Sequence, residues 1–103
     1  MYVSYTRVDT TTAAVEHASV VAEEMMRWLR DIDGFEGLLM LQGDGMAIGL
    51  TFWENREAAG RHRVPHTQFV ERMSTVAGVQ IEERLDLEVA FAELGPRLTS
   101  VSP

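Results

Sequence analysis

Two nearly continuous apolar runs, Phe35–Leu41 and Met46–Trp53, are joined by Gln42-Gly43-Asp44-Gly45, and this arrangement constrains the fold more than any other feature of the chain. Glycine and aspartate supply the left-handed backbone that a tight turn requires, so the two runs read as a β-hairpin. Strands that are apolar on both faces need cover on both, unlike a hairpin with one face in water. The second run leads directly into Trp53-Glu54-Asn55-Arg56-Glu57-Ala58-Ala59. There Asn55 can accept hydrogen bonds from the free amides of a new helix, and Glu57 falls in that helix's electropositive first turn. The hairpin therefore feeds a helix.

A chain of 103 residues is the size of one domain with a single core, and residues 95–103 have the composition of a tail. With no cysteine, disulfides and thiolate metal sites are excluded. All nine basic residues are arginine and the formal net charge is −7, so phosphate backbones are repelled and nucleic acid is not an expected partner. No apolar run approaches the ~20 residues needed to span a membrane, and the first residues, MYVSYTRV, lack a signal-peptide layout. These features predict a soluble, cytoplasmic protein with no membrane partner.

Before the hairpin, Met1–Val8 alternates like a strand, and Asp9-Thr10-Thr11-Thr12 offers N-caps for a long helix. Ala14, Ala18, Val21, Met25, Trp28 and Ile32 then recur at spacings of 4, 3, 4, 3 and 4, which makes an amphipathic helix that Asp33-Gly34 ends. His17 falls on its wet side and reads as a solvated residue. After the hairpin, Ala59, His62, His66, Phe69, Met73 and Val76 form a second stripe, placing both histidines on the buried face. Pro65 interrupts it, which predicts one helix to about Arg63 and another from Pro65 to Ala77, closed by Gly78. Val79–Leu94 reads as one long strand with Val79, Ile81, Leu85, Leu87, Val89 and Phe91 on one face and Glu83 breaking that series.

The order strand, helix, hairpin, broken helix, strand is βαββαβ, an α+β ferredoxin-like arrangement with an antiparallel sheet and both helical segments on one face. The hairpin's second apolar face then needs a cover from elsewhere, most simply the same face of a second copy. A homodimer is the expected assembly, with the last strand long enough to reach the partner's sheet.

The element order and the segment Trp53-Glu54-Asn55-Arg56-Glu57-Ala58 resemble the antibiotic-biosynthesis-monooxygenase-like members of the dimeric α+β barrel superfamily, whose strand-to-helix turn often reads Trp-Glu-Ser-x-Glu-Ala. The resemblance covers residues 1–94. It implies two such domains pairing into a dimeric α+β barrel, each with a ligand pocket between sheet and helices. Activities on this fold include cofactor-independent oxygenation of aromatic polyketides, quinol oxygenation and haem degradation, so fold does not select among them.

In that implied pocket the expected lining is Tyr5, Trp28, Trp53 and Phe69 with His62 and His66, which suits a flat aromatic or quinone-type ligand. A histidine against apolar walls can serve as a base near neutral pH, removing a phenolic proton so that the anion reacts with dioxygen without a cofactor. The bland alternatives are that the histidines cap backbone carbonyls near Pro65 or point to solvent, and that Trp53 is a packing residue at the strand-to-helix turn or in the dimer interface. A metal site is not expected, because the pair lacks third and fourth ligands. The haem-degrading branch carries a strand asparagine, a helix tryptophan and an axial histidine. The corresponding positions here hold Tyr5 or Thr6, His62 and Glu71, which leaves only His66 as a haem ligand in a shifted register. Glu83 reads as a bulge residue or as the partner of Arg7 or Arg84, and the six methionines as an adaptable core. The leading expectation is a small monooxygenase. The competing ones are a non-catalytic ligand-binding or sensing dimer and, behind it, a haem protein.

Overall fold

The computed structural model describes residues 1–15 and 18–98, so the expectation for His17 lies outside the described residues. Strand β1 (Tyr2–Asp9) is followed by helix α1 (Ala18–Leu29), strands β2 (Phe35–Gly43) and β3 (Met46–Trp53), helices α2 (Arg56–Arg61) and α3 (Arg63–Ala77), and strand β4 (Gln80–Glu88). The four strands form one antiparallel sheet in the order β2-β3-β1-β4. This is the ferredoxin-like α+β arrangement expected from the element order, with the helices on one face.

The local signals act as their chemistry requires. The hairpin closes through a two-residue loop, Asp44-Gly45, flanked by the paired Gly43 and Met46, with Gly45 at φ 68°. Asn55 caps α2, its Oδ1 accepting from the Ala58 amide at 2.8 Å. Gly78 ends α3 at φ 71°, its N–H directed at the carbonyls of Ser74 and Thr75. Gly34 is fixed by space as well as by its φ of 88°, because a Cβ there would lie 2.6 Å from the Ala58 Cβ.

Four expectations are corrected. Helix α1 begins at Ala18, not near Ala14: residues 10–14 are held in an irregular turn. There the Thr11 amide and hydroxyl both donate to Asp9 Oδ1, and the Ala14 amide donates to the Ala77 carbonyl at 2.7 Å. The helical break falls at His62, and Pro65 sits in the first turn of α3, where its missing N–H has no helical acceptor to lose. Strand β4 stops at Glu88 rather than Leu94; only the Val89 amide continues the pairing, to the Met1 carbonyl, and Phe91 and Leu94 are exposed. Finally, Ile81 and Leu85 do not share a face. Arg7 pairs with Glu83 and Val8 with Ile81, so Glu82 is an extra residue that reverses the alternation. The bulge sends Ile81 into the core beneath the helices and turns Glu83 to the other side, where its carboxylate lies 3.8 Å from Arg7.

The hairpin's two-sided character is real. Toward the helices β3 presents Ala47, Gly49, Thr51 and Trp53; away from them it presents Met46, Ile48, Leu50 and Phe52. On that second face Leu39, Leu41, Leu85 and Leu87 are 38–47% exposed in the single chain.

Candidate functional site

The space between sheet and helices divides into a filled end and an empty end. At the filled end Leu29 and Trp53 are fully buried with Met25, Ala58, Ala59 and Val70 around them. Trp28 from α1 stacks on Phe69 from α3, with ring centres 4.6 Å apart. Trp53 lies face to face with His62 at 5.7 Å and edge-on to His66 at 5.5 Å, and its Nε1–H donates to Ser4 Oγ at 3.1 Å. Such contacts add ~1 kcal/mol each to the burial of the rings.

At the empty end is a cavity of about 310 Å³. Its floor is the sheet: Thr6 and Val8 from β1, Leu38, Met40 and Gln42 from β2, and Ala47, Gly49 and Thr51 from β3. Val21 and Met25 of α1 and Val70, Met73, Ser74 and Ala77 of α3 close it. Small residues on β3 leave the volume unfilled, while the methionine side chains give it compliant walls. The polar groups that line it are hydroxyls and the Gln42 amide, whose Oε1 accepts from the Ala18 N–H at the start of α1. Among the described residues no carboxylate, imidazole or guanidinium lines it.

Thr51 connects the two ends. Its Oγ1 lies 3.3 Å from His66 Nε2, so a residue that lines the cavity is hydrogen-bonded to a buried imidazole. His66 is 3% exposed. Burial first, and then the Arg84 guanidinium, push its pKa down to about 4, with Asp86 pulling the other way. The imidazole is therefore neutral across the physiological range. His62 has a different role: its Nε2–H donates to the Asp33 carbonyl at 3.0 Å, tying α2 to the turn after α1.

The structure thus gathers Trp28, Trp53, Phe69, His62 and His66 into one cluster, but none of the five lines the cavity. Trp53, expected in the ligand pocket, is a packing residue with no exposed surface. Tyr5 is excluded by strand alternation: Thr6 points under the helices, so Tyr5 points to the opposite face. It borders a separate depression beside Arg84 and Asp86. The cavity residues Thr6, Ala47, Gly49 and Thr51 were not singled out by sequence reasoning, although a signal existed. In β3 the residues at odd positions from Ala47 to Thr51 are small, while their neighbours are large.

Among the described residues no imidazole that could ligate a haem lines the cavity. Among the described residues no group of three or more histidine, aspartate or glutamate side chains could hold a metal ion. No described helix is long and apolar enough to cross a membrane.

No family model matches the sequence, and no curated protein matches it significantly. Solved structures do match. A provisionally assigned antibiotic biosynthesis monooxygenase from Deinococcus radiodurans is 20% identical with a TM-score of 0.64, over 91% of this chain and 97% of that one. The ActVA-Orf6 monooxygenase of Streptomyces coelicolor, solved with the ligand nanaomycin D, is 13% identical with a TM-score of 0.55, over 91% of each chain. At such identities the likeness is one of architecture: the chain has the fold of the antibiotic-biosynthesis-monooxygenase-like proteins.

Proposed function

We propose that this protein is a small monooxygenase that oxidises an aromatic or quinone-type metabolite in the cavity between sheet and helices. The observation that carries the reading is the 310 Å³ apolar cavity with the Thr51–His66 pair at its inner end, in a fold shared with proteins described as monooxygenases. Its volume lies at the lower end of the range for small-molecule sites. In the reaction a phenolic ring carbon and dioxygen give a quinone and water. One oxygen atom becomes the new carbonyl, and the other leaves as water with the hydrogens of the broken C–H and O–H bonds. Those two bonds supply the four electrons, so the reading calls for no cofactor.

Within this reading Thr51 touches the substrate and His66 is a positioning residue. An imidazole with a pKa of about 4 is a poor acceptor for the proton of a phenol with a pKa near 10, the gap being on the order of 8 kcal/mol. With hydrogen on Nε2, neutral His66 instead donates to Thr51 Oγ1 and leaves the threonine hydroxyl hydrogen for the phenolate oxygen. The phenolic proton passes to solvent and is returned when the second oxygen atom leaves as water. Polarographic dioxygen uptake with hydroxynaphthalene substrates, followed by product mass, tests the assignment. Turnover with one oxygen gained and two hydrogens lost is expected, and Thr51→Val should lower kcat by roughly tenfold or more at similar KM.

The competing reading is a non-catalytic ligand-binding dimer, and it draws on the lack of any acid or base lining the cavity among the described residues. Tight binding without oxygen uptake would establish it. Either reading is served by a homodimer in which a second copy covers Leu39, Leu41, Leu85 and Leu87, with the exposed segment around Phe91 and Leu94 lying along the partner. Native mass spectrometry tests that assembly.

A further inference from the structure

A second depression lies on the far side of His66 from the main cavity, bounded by α2, the first turns of α3 and the edge pair β1–β4. Its charge contrasts with that of the whole molecule. The chain carries a net charge of −7, yet three of its nine arginines, Arg56, Arg63 and Arg84, converge here with Asp86 as the one carboxylate on the lining.

The three guanidinium groups are not equally satisfied. Arg63 is paired with Asp86 at 3.3 Å. Arg56 lies 5.5 Å over the ring of Tyr2, which places its charge at the rim. Arg84 is half-buried and directs Nη2 to the hydroxyl of Thr67 at 3.0 Å; among the described residues no carboxylate forms an ion pair with it. It is also the cation that lowers the proton affinity of His66. A partly desolvated guanidinium without a directly paired carboxylate, the nearby Asp86 being engaged by Arg63, beside an imidazole held neutral, is an incomplete electrostatic arrangement. A planar fork of N–H donors is best completed by a carboxylate or phosphate oxygen pair.

We propose that this depression binds a small oxyanion, a carboxylate or phosphate group, on Arg84, with Arg56 and Arg63 at its rim. The depression is large enough for more than an isolated ion: its volume is about 520 Å³. His66 links the two spaces, since it lines this depression and reaches Thr51 in the main cavity. An anion on Arg84 offsets the cation next to His66, so occupancy here is felt at Thr51, which lines the main cavity.

The test is a titration of the intact protein with inorganic phosphate and, separately, with malonate, against chloride at matched ionic strength. The His66 imidazole signals are followed by NMR. A saturable shift with both anions, half-complete below about 10 mM, is expected. Arg84→Gln should weaken it by roughly tenfold or more and Arg56→Gln by a few-fold, while the distant Arg27→Gln leaves it unchanged. Response to phosphate alone would assign the site to phosphate esters, and response to malonate alone to carboxylates. A shift that tracks ionic strength without saturating overturns the proposal, as does binding undiminished in Arg56→Gln and Arg84→Gln. Should Arg84→Gln fail to fold, Arg84→Lys keeps the charge but loses the fork and should still bind measurably more weakly than the wild type.

Discussion

Along the helix-facing side of β3 the residues run Ala47, Gly49, Thr51, Trp53, and the space above them changes from empty to full over those four positions. At the Trp53 end five rings from α1, β3, α3 and the α2–α3 junction pack together and leave no exposed surface on the Trp53 indole. At the Ala47 end the same sheet and the same helices flank a partly open cavity, because small side chains do not reach the methionines opposite. Fold and potential function therefore occupy opposite ends of one layer. Thr51 stands at the boundary, touching the cavity on one side and His66 on the other.

The largest expected effect comes from breaking the filled end. Trp53→Ala removes a fully buried ring and leaves Ser4 without its indole partner; urea unfolding should show a loss of about 3–5 kcal/mol. Next comes acidification. Above pH 6.5 His66 is neutral in both the folded and the unfolded chain. As pH falls toward about 4 the unfolded chain takes up a proton that the folded one does not, so stability declines through that window, by roughly 3 kcal/mol in all. Unfolding at a series of pH values checks this, and His66→Gln should flatten that part of the profile. Gly34→Ala forces a Cβ to 2.6 Å from Ala58 Cβ at a positive φ, and thermal unfolding should register a cost of about 2 kcal/mol. Asn55→Ala removes the cap of α2 for about 1 kcal/mol by the same measurement.

These two ends differed in how far the sequence disclosed them. The filled end was legible because its determinants are local and periodic: the α1 stripe that carries Trp28, the Asn55 cap, the glycine at position 78 and the positions of His66 and Phe69 on one face of α3. The βαββαβ order followed from the same signals. The empty end was not read, since a cavity is defined by side chains that are missing, and Ala47 and Gly49 register in a sequence as apolar rather than as absent volume. Tyr5 failed for a related reason. Alternation divides β1 into two faces but does not say which faces the helices until the partner strands are known. The bulge in β4 was signalled by Glu83, whose charge breaks the apolar series and allowed either a bulge or a pairing with Arg7; the structure has both, with Glu82 as the extra residue, and only the consequent separation of Ile81 from Leu85 was not legible. His66 was recognised as buried and chemically capable, but its separation from the cavity by Thr51 is a matter of packing.

The central claim is that the empty end of this layer is the ligand site, and Gly49 offers the most direct test. Its φ is not positive, and a Cβ there would meet only the flexible Met40 side chain, at 3.2 Å from Sδ. Gly49→Leu should therefore fill the cavity at a stability change within about 1 kcal/mol. The measurement is the Kd of a hydroxylated naphthoquinone for the wild type and for Gly49→Leu, read from quenching of Trp28 and Trp53. Binding weakened by roughly a hundredfold or more in a variant that unfolds like the wild type is the predicted result. Equal Kd values for the two proteins would contradict the account and move the site away from the sheet-to-helix cavity.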